Sequence, residues 1–351
     1  MSGLGENKDG SFYIEDNRNI FINPAEINHY TDFISFEYGQ DLEGTKPDSS
    51  FLGRSEGGFI AQGRALVYGV FLGAENERLN SLRRIINPLL PGDDNKIDLF
   101  IGGDSGFKWG VNVGLSQSKD LRDNAGMRSN ALLTSVGVIR NEWEFFLDLL
   151  VNSSSEVNDQ NVTRQLSQVE SNLSFTTGFK KIINEYRVYG TFDLYDLSFQ
   201  GANSQSAIGA LAMDRGDLKY TMTRAGIGRV KNVSDNTKIF TNLELQYAKV
   251  DFKTPGSSPS TDFWHVPLTI ALEYEALSWL NLRSSIGQAI YSAAEDLNSQ
   301  SFSQNNSTIA SGGFSILLGS LVIDGVVGTE RVEGLEMLQD TVYRLSLNYS
   351  Y

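Results

Sequence analysis

The chain has 351 residues, 29 Lys+Arg against 43 Asp+Glu, and a net charge of -14 with both histidines neutral. That balance excludes a nucleic-acid partner, because phosphate binding needs clustered Lys and Arg. The absence of cysteine excludes disulfide frameworks, thiolate catalysis, iron–sulfur clusters and cysteine zinc sites, and it fits an oxidising compartment.

Taken in chain order, MSGLGENKDG lacks the apolar core of a signal peptide. It fits a cytosolic start or a mature chain already processed. Residues 1–30 read as an N-terminal plug or periplasmic segment. Two strands are expected next. One is Asp32–Tyr38, with Ile34, Phe36 and Tyr38 on one face. The other is Gly58–Leu72, with Phe59, Ala61, Ala65, Val67 and Phe71. Residues 74–104 read as an insertion. Leu79, Leu82, Ile85, Ile86 and Leu89 recur at helical spacing near 75–90, and Pro88 and Pro91 stop the helix. Ile97, Leu99 and Ile101 follow as a short alternating run. The insertion is expected at the periplasmic mouth or folded into a lumen, with an amphipathic helix on the membrane surface as the other option.

From Phe107 onward, apolar residues recur at every second position. Examples are Trp109-Val111-Val113-Leu115, Trp143-Phe145-Leu147-Leu149-Val151, Trp264-Val266-Leu268-Ile270-Leu272-Tyr274 and Tyr343-Leu345-Leu347-Tyr349-Tyr351. Successive strand residues point to opposite faces, so each run has one apolar and one mixed face. Several runs approach or exceed the roughly 9–11 residues that a tilted strand needs to cross hydrocarbon. No stretch carries enough consecutive apolar residues for a membrane helix. The longest candidate, Phe314–Gly328, is broken by Asp324. Alternating strands can still cross a membrane as a barrel.

Short connectors are expected near 103–106, 140–142, 181–185, 232–236, 276–278 and 319–320. Long polar loops are expected near 116–129, 153–164, 198–216, 252–262, 292–306 and 329–340. Short and long connectors alternate, as they do when one barrel end carries tight turns and the other carries long external loops. The fold expected is all-β: a transmembrane antiparallel β-barrel of about 14 strands (range about 12–16) over residues 31–351. Trp109, Trp143, Trp264 and Trp279 fall at strand ends, and with Tyr349 and Tyr351 they read as an interfacial girdle.

If the apolar rows face lipid, the alternate rows line the interior. They carry Glu37, Arg64, Lys108, Glu144, Asp148, Arg187, Asp193, Glu244, Glu273, Arg283, Asp324 and Arg344. A charge on the lipid face at the midplane costs ~2–4 kcal/mol, so these residues are expected to line a pore. Further acids in the loops, among them Asp41, Glu43, Asp93, Asp94, Glu295 and Asp296, would favour cations at a mouth. The alternative role of those acids is loop solubility.

Enzyme chemistry finds little support. His29 and His265 are the two histidines, and neither has a serine two residues away on its own strand to activate. A histidine metal site is excluded by count, and His265 reads as an interfacial neighbour of Trp264. The runs Gly102–Gly106 and Arg224–Arg229 lack the following helix or Lys-Ser/Thr of a phosphate cradle. No cofactor is expected.

The closing YRLSLNYSY resembles the C-terminal strand of Gram-negative outer-membrane barrels, although those usually end in Phe or Trp. The resemblance implies delivery to the outer membrane by the barrel-assembly machinery. DNRNIFINPAEINHYTDFISFEY, over Asp16–Tyr38, resembles the start of FadL-like barrels, with Asn23, Pro24 and Ala25 matching. That resemblance implies a plugged 14-stranded barrel. The whole chain also resembles the abundant porins of predatory Gram-negative bacteria. The leading expectation is therefore an outer-membrane porin giving passive, weakly cation-preferring diffusion of small polar solutes and ions. The alternatives are a FadL-like plugged transporter for hydrophobic small molecules and a purely structural barrel. Outer-membrane lipid is the expected partner. Glycines around Gly312–Gly319 offer a flat contact for a homotrimer, or simply let a strand curve.

Overall fold

The computed structural model describes residues 4, 10–41, 54–87, 90–93, 95–120, 125–159, 165–201, 215–255, 258–295, 301–302, 308–331 and 339–351. The strands are β1 (Phe33–Asp41), β2 (Arg54–Gln62), β3 (Val67–Leu72), β4 (Lys96–Asp104), β5 (Lys108–Asp120), β6 (Ala125–Arg140), β7 (Trp143–Asp159), β8 (Gln165–Ile183) and β9 (Tyr186–Gln200). They continue with β10 (Arg215–Ser234), β11 (Thr237–Lys253), β12 (Ser260–Leu277), β13 (Leu280–Glu295), β14 (Ser301–Phe302), β15 (Thr308–Leu318), β16 (Leu321–Arg331) and β17 (Gln339–Ser350). The pairs are antiparallel between neighbours, and β1 pairs with both β2 and β17, which closes the sheet into a cylinder.

β14 and β15 both pair with β13 in one register, with Phe302 opposite Ala294 and Thr308 opposite Gln288. They are two pieces of one stave, so the cylinder has sixteen staves rather than about fourteen. Both additional staves come from the first third of the chain. Gly58–Leu72 is not one strand. It reverses between Gln62 and Val67, where the Gly63 N–H donates to the Leu66 carbonyl at 2.8 Å. Even spacing from Phe59 to Phe71 hides that reversal: Phe59 points outward at 43% exposure, and Phe71 points inward at 4%. Residues 96–104, expected within an insertion, form β4, which pairs with β3 and β5.

The strands also outrun their apolar stretches. β7 continues to Asp159 and β8 starts at Gln165, although 153–164 reads as a polar loop. Beyond the hydrocarbon both faces of a strand can be polar while the ladder continues, so alternation fades before pairing ends. Tight turns sit at one end of the cylinder, for example at Asn141 and Asn184, where positive φ of 54° and 55° suits the reversal. This is the turn end, and the opposite one is the loop end.

Outside, the wall is apolar: Phe36, Leu99, Leu243, Ile270, Ile286 and Leu345 are among many large hydrophobic residues left exposed. A soluble protein would not leave so broad an apolar surface uncovered, and the architecture is that of a transmembrane barrel. Inside, the helix α1 (Glu77–Ile86) enters the lumen from the loop end, between β3 and β4. Asn76 caps it by accepting from the Leu79 N–H at 3.0 Å. Two 3-10 helices, Asn17–Phe21 and Pro24–His29, enter from the turn end.

Candidate functional site: the barrel lumen

At the turn end the N-terminal segment is held in shape by its own caps. Asp16 accepts from the Arg18 N–H, and Asn23 accepts from the Ala25 N–H with Pro24 at the first helical position. The short helix Pro24–His29 seats on the wall where Gly102, Gly110 and Gly137 face each other on β4, β5 and β6. A Cβ on Gly110 would overlap the Pro24 carbonyl, and one on Gly137 would overlap Asn23 Oδ1. The segment is pinned elsewhere as well. Phe12 stacks on Tyr189 with ring centroids 4.7 Å apart. Tyr13 and Ile14 pack with Phe240 and Ala271. Arg18 reaches Glu56 at 2.9 Å and Glu37 at 3.8 Å.

Lys180 joins the segment to the wall, 3.4 Å from Glu26 Oε1 and 2.6 Å from Glu144 Oε1. His29 Nδ1 lies 2.6 Å from Glu26 Oε2. Burial acts to raise the Glu26 carboxyl, but the His29 hydrogen bond and the Lys180 ammonium outweigh it and hold the group below its ordinary range. Ser11, Phe12, Asn23, Glu26, Glu144 and Lys180 are among the residues around a small recess between segment and wall, with room for about one water molecule.

At the loop end α1 is buried on two sides. Leu79, Leu82, Ile85 and Ile86 pack with inward-facing Leu150, Val157, Val169, Leu197, Leu218 and Met222 from β7 to β10. Two arginines lie within and beside that apolar stripe. Arg83 is 1% exposed and donates to Asp93 Oδ1 at 2.8 Å, Ser129 Oγ at 3.2 Å and Ser153 Oγ at 2.6 Å. Arg78 pairs with Asp193.

The structure turns most of the charges named above inward. Glu37 meets Arg18, Glu144 meets Lys180, Asp193 meets Arg78, and Arg187 lies 3.7 Å from Glu15. Glu244 accepts from the Tyr189 hydroxyl at 2.6 Å. Glu273, Arg283 and Asp324 form a chain of ion pairs at 2.8 and 3.0 Å. Asp148 lies on the inward row of β7, with Oδ1 lacking a hydrogen-bond partner among the described residues. Lys108 and Arg344 sit on the inward rows of β5 and β17. Arg64 does not line the interior. It is exposed in the β2–β3 turn because the chain reverses there.

Seven buried charges were not among the expected lining residues: Arg18, Glu26, Arg83, Asp93, Lys96, Asp98 and Lys180. Lys180 was legible, since it continues the inward row Ser174-Thr176-Gly178. Arg83 was not, since nothing in a helical repeat says that an arginine within it is covered.

Around the outside, Trp143 stacks on Phe145 with Lys181 Nζ 4.4 Å over its ring, and Trp109 lies over Gly103. Trp279, Tyr349 and Tyr351 stand exposed at the turn end, and exposed Trp264 packs with Tyr247 nearer the loop end. His265 is not an interfacial companion of Trp264. It shares the inward row, with Nδ1 2.6 Å from Ser292 Oγ on β13. No group of three His, Asp or Glu is placed to hold a metal among the described residues.

No family model and no curated protein matches the chain. Solved structures do. A Pseudomonas aeruginosa FadL homologue is 12% identical at a TM-score of 0.48, covering 99% of this chain and 97% of that one. The CymD monoaromatic hydrocarbon channel is 14% identical at 0.43, covering 100% and 96%. The toluene transporter TodX of P. putida is 11% identical at 0.40, covering 97% and 95%. The neighbours of this large antiparallel barrel thus include hydrocarbon channels and a FadL homologue.

Proposed function

We propose that the protein is an outer-membrane transport barrel with an occluded lumen that passes small apolar molecules, rather than a freely open diffusion porin. The observation that carries this reading is the apolar lining at the loop end. A water-filled pore has a polar interior. Here Leu150, Val157, Val169, Leu197, Leu218 and Met222 point inward and are covered by α1. Such a lining suits an apolar solute that enters from the loop end. The N-terminal segment beneath it supports an occluded path. On this reading outer-membrane lipid covers the apolar outer wall, and the barrel-assembly machinery takes up β17.

The test pairs two fluxes through the full-length protein. Cells carrying it should take up labelled toluene faster than cells without it, while vesicles containing it should swell slowly in a small sugar. Met222→Gln keeps the volume of the lining but makes it polar. It should lower toluene uptake severalfold and leave sugar flux unchanged. Rapid sugar swelling with no gain in toluene uptake would overturn the proposal in favour of an open porin.

A further inference from the structure

The lumen is filled unevenly. Its apolar clusters draw their wall residues from β2–β4 and β6–β12, and among the described residues none comes from β13 to β17. Several inward charges differ in the same sense, although small residues such as Ala289 and Ser315 are buried on β13 and β15 as well. On the filled side Asp193 is 0% exposed and Glu144 8%. Across the cylinder Arg283 keeps 22% and Asp324 27%, although both point inward. An inward residue that a water-sized probe can touch faces space, not packing.

The wall bordering that space is polar from stave to stave. Arg283 donates to Glu273 on β12 and reaches over Gly313 on β15 to Asp324 on β16. Asp324 also accepts from Ser346 at 3.3 Å and Asn348 at 3.1 Å on β17. Toward the loop end, Ser285 and Ser311 pair at 2.6 Å, and Arg344 shares the inward row of β17. Unpaired charge left dry costs several kcal/mol per ion. These groups are satisfied by a hydrogen-bonded ladder that Arg283 and Asp324 leave partly exposed.

We propose that the inner wall from β12 to β17 borders a second, water-filled path beside the occluding elements, narrow and ion-conducting, with Glu273, Arg283 and Asp324 setting its charge preference. Within the ladder two carboxylates flank one guanidinium, and the half-exposed Lys238 lies 3.6 Å from Glu273 on its turn-end side, so an ion passing the Arg283–Asp324 step meets net negative charge and cations are favoured there. This path is separate from the apolar route, and toluene uptake does not bear on it.

The test is single-channel recording of the full-length protein in asymmetric KCl, with folding verified by heat-modifiable gel migration. The wild type should show small, steady, cation-preferring steps. Arg283→Gln should raise the cation-to-anion permeability ratio by roughly tenfold, because one unit charge at ~6 Å in a water-like dielectric weights the cation up and the anion down by about threefold each. The double variant Glu273→Gln/Asp324→Asn should bring the ratio to anion preference. Glu244→Gln removes an inward charge from the filled side and should leave the ratio unchanged. Silent bilayers with folded protein would overturn the proposal. So would a ratio that ignores all three ladder residues, or one that Glu244→Gln shifts as much as they do.

Discussion

Gly137 matters for what it lacks. Its missing side chain leaves room for Asn23, which caps the short helix of the N-terminal segment, and Gly110 does the same for the Pro24 carbonyl. A strand glycine weakens its sheet, and close approach of another backbone is one reason to keep one. Gly137→Ala should therefore unseat the segment while the barrel remains closed. The expected readout is protease cleavage before Asp32 in folded protein, at a rate at least tenfold above wild type. Unchanged cleavage would show that the seat has slack. At this scale the sequence was informative wherever parity alone decides: Glu144, Asp193, Glu273 and Arg283 face inward because their apolar neighbours face outward. It failed at Arg64, where a hairpin with even spacing reads as one strand, and at Arg83, whose burial depends on a partner surface that the local pattern does not show.

Elements dock here through charge as much as through apolar area. The helix Pro24–His29 is held by Glu26, whose carboxyl is depressed because His29 and Lys180 outweigh burial. A depressed carboxylate contributes stability that is present above its unfolded-state value and is lost as pH falls through its folded value. Docking of the N-terminal segment should accordingly hold at neutral pH and weaken below the ordinary glutamate range. A fluorophore on residue 15 or 16 that reports release would check this. Glu26→Gln should remove the acid transition and dock less firmly at pH 7, and an acid transition of the same size in Glu26→Gln would contradict the assignment. The existence of α1 was plain from Leu79, Leu82, Ile85 and Ile86. Its place in the lumen was not, because an amphipathic repeat looks the same on a membrane surface and against an ionic wall. A buried pair such as Arg83–Asp93 adds little net stability compared with apolar residues of equal volume, but it fixes where the helix can sit.

For the whole molecule, the apolar belt determines which solvent the wall requires. Ile286 stands 52% exposed in the middle of β13, and Val233 57% exposed beside the turn end of β10. Ile286→Arg should cost ~2–4 kcal/mol of stability in lipid, while Val233→Arg near the interface should cost only ~0–1 kcal/mol. Urea unfolding in vesicles, followed by tryptophan fluorescence, measures both. Equal costs would mean that the belt does not sit at the depth assigned. The barrel class was legible from alternation and from the rhythm of short and long connectors. The count of sixteen was not, because β1–β4 are short and two of them are joined by a turn that the spacing hides.

One consequence of the closure remains. The edge of β1 that faces away from β2 is matched by residues 342–350, more than 300 positions further along the sequence. Until those residues arrive, nascent β1 presents a nine-residue row of unsatisfied amides and carbonyls, and so does the most recently formed stave. Open edges of that kind recruit other chains. A chain cut short before residue 342 should thus yield no smaller cylinder, only sticky material for chaperones and proteases to clear.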